Sequence, residues 1–255
     1  MRIDIATPFA AALALWRRDR ALLLPLAGLF LFVPQLAILL LVPASPEPVS
    51  GGETSPEAIR AWTEAFAAWA SAHGGWYIAG QLSALFGALA VSMLYVARGR
   101  PAMGPALGLT FGLLPRYVLA TILVTLPTGG LLLFALAAPL LLYLLVGPIF
   151  YLFARMMLIA PVLVAERPVG AIAAIGRSWR LTRGSGSVLT CIYAVIAVAG
   201  MVAGSVFLAL AAMAGDNPLA IAVMNAVAAA AAAVAGLAHA LVAVVVYARL
   251  ASKGT

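Results

Sequence analysis

Residues 155–184 read RMMLIAPVLVAERPVGAIAAIGRSWRLTRG. The stretch begins inside a long apolar run that holds one charge, Arg155, and one proline, Pro161. It leaves that run at Glu166 and Arg167, then turns at Pro168 into a short amphipathic segment carrying Arg177, Trp179, Arg180 and Arg183. An apolar run that exits onto a basic amphipathic segment is the pattern of a chain leaving a bilayer and lying along its surface. Sorted around that junction, the rest of the chain reads as a succession of membrane spans.

Composition agrees with this. Hydrophobic residues fill 65% of the 255 positions and charged residues only 9%, against about 25% charged in soluble domains. Several apolar runs reach the roughly 20 residues that cross about 30 Å of hydrocarbon. The net charge of +7 does not point to nucleic acid, because the basic residues cluster at the ends of apolar runs and form no soluble basic face. Cys191 is the one cysteine and sits in an apolar run, so disulfides play no part. Arg17, Arg18 and Arg20 precede an apolar run over 21–42. That run is longer than the roughly 7–15 residues of a signal-peptide core, so it is expected to be retained as the first span.

The expected architecture is all-α: one polytopic membrane domain over 1–255. Its six transmembrane helices are expected near 21–42, 76–97, 116–136, 139–165, 187–214 and 219–247. Three interfacial amphipathic helices are expected on the cytoplasmic side. The first starts at Thr7-Pro8 and shows Phe9, Leu13 and Trp16 as its apolar stripe. The second shows Met103, Leu107, Phe111 and Leu114. The third shows Ile172, Ile175 and Trp179, with Arg177 and Arg180 facing away and Gly184 ending it in the left-handed conformation. In the polar stretch over 43–75, Pro43, Pro46 and Pro48 break any helix. Ser55-Pro56 then starts a short helix to Ala70 that presents Ile59, Trp62, Phe66 and Trp69 and caps the outer face. A tight outer turn is expected near 137–139, with Thr128-Gly129-Gly130 after Pro127 as an alternative break. Gly215-Asp216-Asn217-Pro218 is a turn.

Charge supplies an independent check on orientation. Arg155 lies inside a span and Arg60 in the opposite loops. The other basic residues, Arg2, Arg17, Arg18, Arg20, Arg98, Arg100, Arg116, Arg167, Arg177, Arg180, Arg183, Arg249 and Lys253, all fall on one side. That asymmetry places the richer side, with both termini, in the cytoplasm. The order of interfacial helix, span and span occurs three times. Trp16-Arg17-Arg18-Asp19-Arg20 is echoed by Trp179-Arg180-Leu181-Thr182-Arg183, and Leu114-Pro115-Arg116-Tyr117 stands in the corresponding place of the middle unit. Duplication accounts for the echo, and so does the common need of entering helices for an aromatic anchor and arginines.

Arg155 lies eleven residues before Glu166, so a continuous helix puts it roughly 16 Å deep, near the bilayer centre. An arginine there costs about 2.5–3.5 kcal/mol and needs a partner, yet no span holds an Asp or Glu. His239 and Tyr193 fall at similar depth, and Pro148 and Pro161 free carbonyls that could accept from the guanidinium. Snorkelling toward cytoplasmic phosphates is the plainer alternative. His239, beside Gly236, Ala238 and Ala240, reads as a contact between helices. Gln35, Gln81 and Asn225 read the same way. Gly200 and Gly204 form a GxxxG, and 228–233 is a run of alanines; both favour close helix packing, inside the bundle or between copies. His73 reads as a solvated residue.

Enzymatic chemistry finds little support. No serine has a base and an orienting acid in reach, no His, Cys or carboxylate cluster could hold a metal, and Gly184-Ser185-Gly186 lacks the lysine of a phosphate-cradling loop. No enzyme activity, metal or cofactor is therefore expected. The arginines beside the amphipathic segments attract anionic lipid at roughly 1 kcal/mol each. The candidate lipid- or anion-binding set is Arg155, Glu166, Arg177, Trp179, Arg180 and Arg183, with His239 and Tyr193 as intramembrane polar residues.

Arg155, Pro161 and Glu166, followed by Ser178-Trp179-Arg180-Leu181-Thr182 and Gly184, fit R-x5-P-x4-E and then S-W-x-L-T-x-G. This resembles a bacterial six-span membrane family related to the membrane domain found beside some glycerophosphodiester phosphodiesterases. In the enzymes of that family a separate soluble barrel carries catalysis. No such barrel follows in this sequence, so the hydrolase activity is not expected to carry over. The resemblance implies a multi-pass protein of the bacterial inner membrane with an envelope or lipid-related role. Two functions are expected to compete. One is a non-enzymatic protein that holds anionic lipid, a protein partner or a second copy at its cytoplasmic face. The other is a transporter or channel for an anionic or amphiphilic solute with Arg155 in the path.

Overall fold

In the computed structural model, residues 4–47, 55–97, 99, 102–136 and 139–252 are described, with the side chains of 132–136, 139, 140 and 142 left out. Arg2, Glu53, Arg98, Arg100, Lys253 and the expected outer turn at 137–138 lie outside the described residues. Among the described residues all regular structure is helical. The order is α1 Ala6–Ala27, a π-helical segment Gly28–Phe32, α2 Val33–Leu41, α3 Pro56–Val96, α4 Met103–Leu136, α5 Pro139–Met156, α6 Ile159–Ala165, α7 Ala171–Leu181, α8 Gly186–Met213 and α9 Pro218–Ala251. Six stretches are long and apolar enough to cross a membrane: Ala6–Leu41, Pro56–Val96, Met103–Leu131, Tyr143–Ala165, Gly186–Met213 and Pro218–Ala251. The protein is an all-α, multi-pass membrane protein.

The first interfacial helix and first span are joined at Asp19, whose φ of −115° and ψ of 23° bend α1. The Asp19 carboxylate pairs with Arg18 at 2.8 Å and accepts from the Tyr95 hydroxyl at 2.8 Å, so the bend is tied to the end of α3. Pro34 has no N–H for the carbonyl of Phe30, four residues earlier. The chain relaxes through the π segment, and the Ser83 hydroxyl of α3 donates to that carbonyl at 3.0 Å. A buried backbone acceptor in lipid is thereby satisfied from a neighbouring helix.

The outer-face helix and the second span, expected as two elements, are one 41-residue helix, α3. At about 1.5 Å per residue it is roughly 60 Å long, twice the hydrocarbon thickness. Ser55 caps its start by accepting from the Ala58 N–H at 3.1 Å. An aromatic ladder, Trp62, Phe66, Trp69, His73 and Tyr77, runs without interruption past Gly74 and Gly75. The preceding loop folds back on it, with the Trp69 and Trp62 indoles donating to the carbonyls of Pro43 at 3.0 Å and Pro46 at 3.4 Å. Likewise α4 continues past Thr128-Gly129-Gly130 to Leu136, so the alternative break there does not occur. The fourth span, expected as one helix, is broken at Met157–Leu158 into α5 and α6.

α8 lies along α9, and α9 also packs on α1, α2 and α3. Gly200 faces Ala235 of α9 so closely that an added Cβ would sit 2.6 Å from the alanine methyl, whereas Gly204 has nothing within 4 Å. Half of the GxxxG therefore serves packing inside the bundle. Asn225 donates to the Leu39 carbonyl at 3.3 Å, one of the last four carbonyls of α2 that a helix leaves without a partner. The interfacial segments turn much of their apolar stripes away from the bundle, with Leu13, Phe111, Ile172 and Trp179 exposed. α7 buries Ala171, Ala174 and Ser178 while Ile172 is 75% exposed, and α4 buries Ala106, Thr110 and Leu113 while Phe111 is 71% exposed. In lipid the small residues let helix backbones approach, and large apolar side chains lose nothing by facing outward.

Candidate functional site

The junction quoted at the outset is held by Arg155. α5 ends at Met156, so the carbonyls of its last turn lack helical partners. Ser178 of α7 donates to the Arg155 carbonyl at 2.6 Å. The Arg155 guanidinium donates through Nη1 to the Tyr151 hydroxyl at 2.7 Å and through Nη2 to the Trp179 carbonyl. It lies over the Trp179 ring with Cζ 3.9 Å from the centroid. Only its Nε has no partner among the described residues. A desolvated guanidinium on an indole face is worth about 2 kcal/mol or more. An indole face, a phenol and a carbonyl take the place of the carboxylate that the spans do not supply.

One expectation about Arg155 is corrected by this geometry. Its partners are Tyr151 and Trp179, not His239, Tyr193 or a carbonyl freed by Pro148 or Pro161. It stands in the last turn of α5, before the break at Met157–Leu158 and within the apolar stretch Tyr143–Ala165.

The other residues of the candidate set divide into paired and unpaired. Glu166 accepts from Arg177 Nε at 2.9 and 3.0 Å and from the Tyr247 hydroxyl at 3.4 Å, joining α6, α7 and α9. Arg167 donates to the Val164 carbonyl and to Met93 Sδ, each at 3.1 Å. Arg180 and Arg183 are exposed and pair with no carboxylate among the described residues. Arg180 stands at a groove of about 550 Å³ between α4, α5 and α7, whose other walls are mainly apolar, among them Leu123, Val124, Leu152, Ile175 and Trp179.

A second cavity, of about 330 Å³, lies deeper between α3, α4, α5, α6, α8 and α9. Tyr193 and His239 both line it, their rings edge to face with centroids 4.5 Å apart. Sequence reasoning did not single out Tyr117, Thr121, Thr125 or Ser92, and it read Gln81 only as a contact between helices; all five line the same space. The spacing of Tyr117, Thr121 and Thr125, four residues apart on one face of a span, was the available signal. Arg155 lines neither space. Among the described residues no three His, Cys, Asp or Glu side chains come together in a way that could hold a metal ion.

Fold and site together define a polytopic helical membrane protein with a clamped basic end, a groove at that end and a polar cavity within the bundle. In comparisons with protein-family models, curated proteins and solved structures, no match to this chain was found.

Proposed function

We propose that this is a non-enzymatic protein of the bacterial inner membrane, with both termini in the cytoplasm, that holds an anionic lipid at its basic end in support of envelope or lipid homeostasis. The observation that carries this reading is a pair of exposed guanidiniums, Arg180 and Arg183, without carboxylate partners among the described residues, the first of them lining a mainly apolar groove. A lipid phosphate satisfies the charge and an acyl chain fills the groove between α4, α5 and α7. Arg177, already neutralised by Glu166, drops out of the expected arginine collar. Arg155 and Trp179 act behind the groove by fixing α7. The resemblance of the 155–184 motif to the six-span family supports the same lipid-related role.

The test is retention of dioleoylphosphatidylglycerol by the full chain, read by mass spectrometry after exchange in nanodiscs. At about 1 kcal/mol per surface arginine, Arg180→Ala with Arg183→Ala costs about 2 kcal/mol, a roughly 30-fold loss of affinity. Arg177→Ala is expected to change retention far less. Wild-type retention by the double variant would remove the basis of the proposal.

A further inference from the structure

The 330 Å³ cavity is large enough for a small ligand, since ligand pockets begin at about 300 Å³. Its polar lining comes from Gln81, Ser92, Tyr117, Thr121, Thr125, Tyr193 and His239, and no Asp, Glu, Lys or Arg borders it. The Thr121, Thr125 and Ser92 hydroxyls donate to the carbonyls four residues earlier, at 2.9, 2.9 and 3.0 Å. Their protons are committed and their lone pairs are left to accept. Among the described residues no hydrogen bond reaches the Tyr117 or Tyr193 hydroxyl, the Gln81 amide or the His239 ring. Polar groups without partners at membrane depth cost several kcal/mol each, so this lining favours a polar occupant.

The chemistry of that occupant follows from the lining. An ion entering a space with no countercharge would lose its hydration without a paired charge to offset it, which disfavours phosphates, carboxylates and ammonium groups. Hydroxyl oxygens that can only accept select a ligand that donates, and the two phenols, the amide and the imidazole can answer with either role. We propose that the cavity binds an uncharged hydroxyl-bearing group of the glycerol type, supplied by a neutral lipid headgroup or by a free polyol. The site is separate from the Arg180 groove, with Val124 and Met156 forming the wall common to both.

The full chain in nanodiscs provides the test, with dioleoylglycerol in the bilayer or free glycerol in solution as probes and the unfolding midpoint as readout. Tyr117→Phe with Tyr193→Phe removes hydroxyls that bond nothing in the protein, so the midpoint without probe is expected to stay at the wild-type value. The same variant is expected to lose the probe-dependent rise, which also corrects for the general stabilisation that polyols give. A rise with dioleoylglycerol alone assigns the lipid source, and a rise with glycerol as well assigns the free polyol. As a second measurement, Thr125→Cys in a Cys191→Ser background is expected to react about tenfold more slowly with a small thiosulfonate when the probe is bound. The proposal is overturned by unchanged midpoints and labelling with both probes, by a rise that survives the double tyrosine variant, or by a larger rise with choline chloride.

Discussion

At its basic end α3 buries Leu89, Val91 and Met93 completely, Val91 in one core cluster with Val162 and Leu163 of α6 and Val242 and Val246 of α9, and Leu89 and Met93 in another with Ala160 and Val164 of α6. In α8 only Gly186, Leu189, Ile192, Ile196 and Ala211 are buried. Beyond Ile196 this helix turns Val198, Met201, Val202, Val206 and Leu208 outward. The two regions are similarly apolar yet packed by different rules. Where arginines and ion pairs border the bundle, water is the alternative environment and burial of large side chains is rewarded. Within the bilayer, lipid tails solvate leucine as well as a protein core does, and helices associate through small residues and isolated hydrogen bonds.

The contrast can be broken most directly by truncating one leucine in each region. Leu89→Ala is expected to cost about 2–5 kcal/mol, the range for a fully enclosed leucine. Leu208→Ala, 42% exposed on α8, is expected to stay within about 0.5 kcal/mol of wild type. Unfolding in mixed micelles measures both. Equal losses would mean that α8 is covered in the membrane and that the comparison fails.

The Arg155 clamp sharpens the same contrast, because it brings a charge to the boundary between the two regions. Arg155→Leu removes the stacked cation and leaves the Trp179 carbonyl with only the Thr182 hydroxyl, a donor at 3.2 Å that it shares with the Ser178 carbonyl. A desolvated cation on an indole face is worth about 2 kcal/mol or more, and its loss is partly offset because the leucine has no charge to desolvate. A net loss of about 2 kcal/mol is expected, and it should be local to α7. The sensitive readout is trypsin cleavage after Arg180 and Arg183, which reports transient opening of that helix. Acceleration by about 30-fold corresponds to this energy, while an unchanged rate would show that α7 is held by its small-residue face alone.

The sequence made the spans legible because a run of roughly 20 apolar residues has few other uses. The left-handed Gly184 at a φ of 81° and the turn before Pro218 were also readable from local chemistry. The element boundaries were less legible. The outer-face helix was expected to stop at Ala70 and the second span to begin at Trp76, but the aromatic ladder crosses Gly74 and Gly75, each of which costs only about 1 kcal/mol in a helix interior. That Arg155 needed a partner could be read; that the partner was Trp179, 24 residues on, depended on a helix break that no residue pattern announces. The polar cavity is assembled from residues on six helices and the α5–α6 junction, so only its Tyr117, Thr121 and Thr125 stripe left a periodic trace.

The smallest effect separates two glycines that the sequence cannot tell apart. Gly200 and Gly204 share one GxxxG, but only Gly200 approaches α9, where an alanine Cβ would meet the Ala235 methyl at 2.6 Å. Neither group is the end of a flexible side chain, so relief requires α8 and α9 to separate. Forcing a methyl into such a contact typically costs about 1–3 kcal/mol. Gly204→Ala meets nothing within 4 Å and removes the glycine's helix penalty, a gain of roughly 0.5–1 kcal/mol. Opposite signs at positions one turn apart, measured by unfolding in the same micelles, are expected if Gly200 packs within one chain. Were Gly204→Ala instead to weaken self-association on dilution, that half of the motif would be serving a second copy, and the exposed face of α8 would be covered by protein and not by lipid.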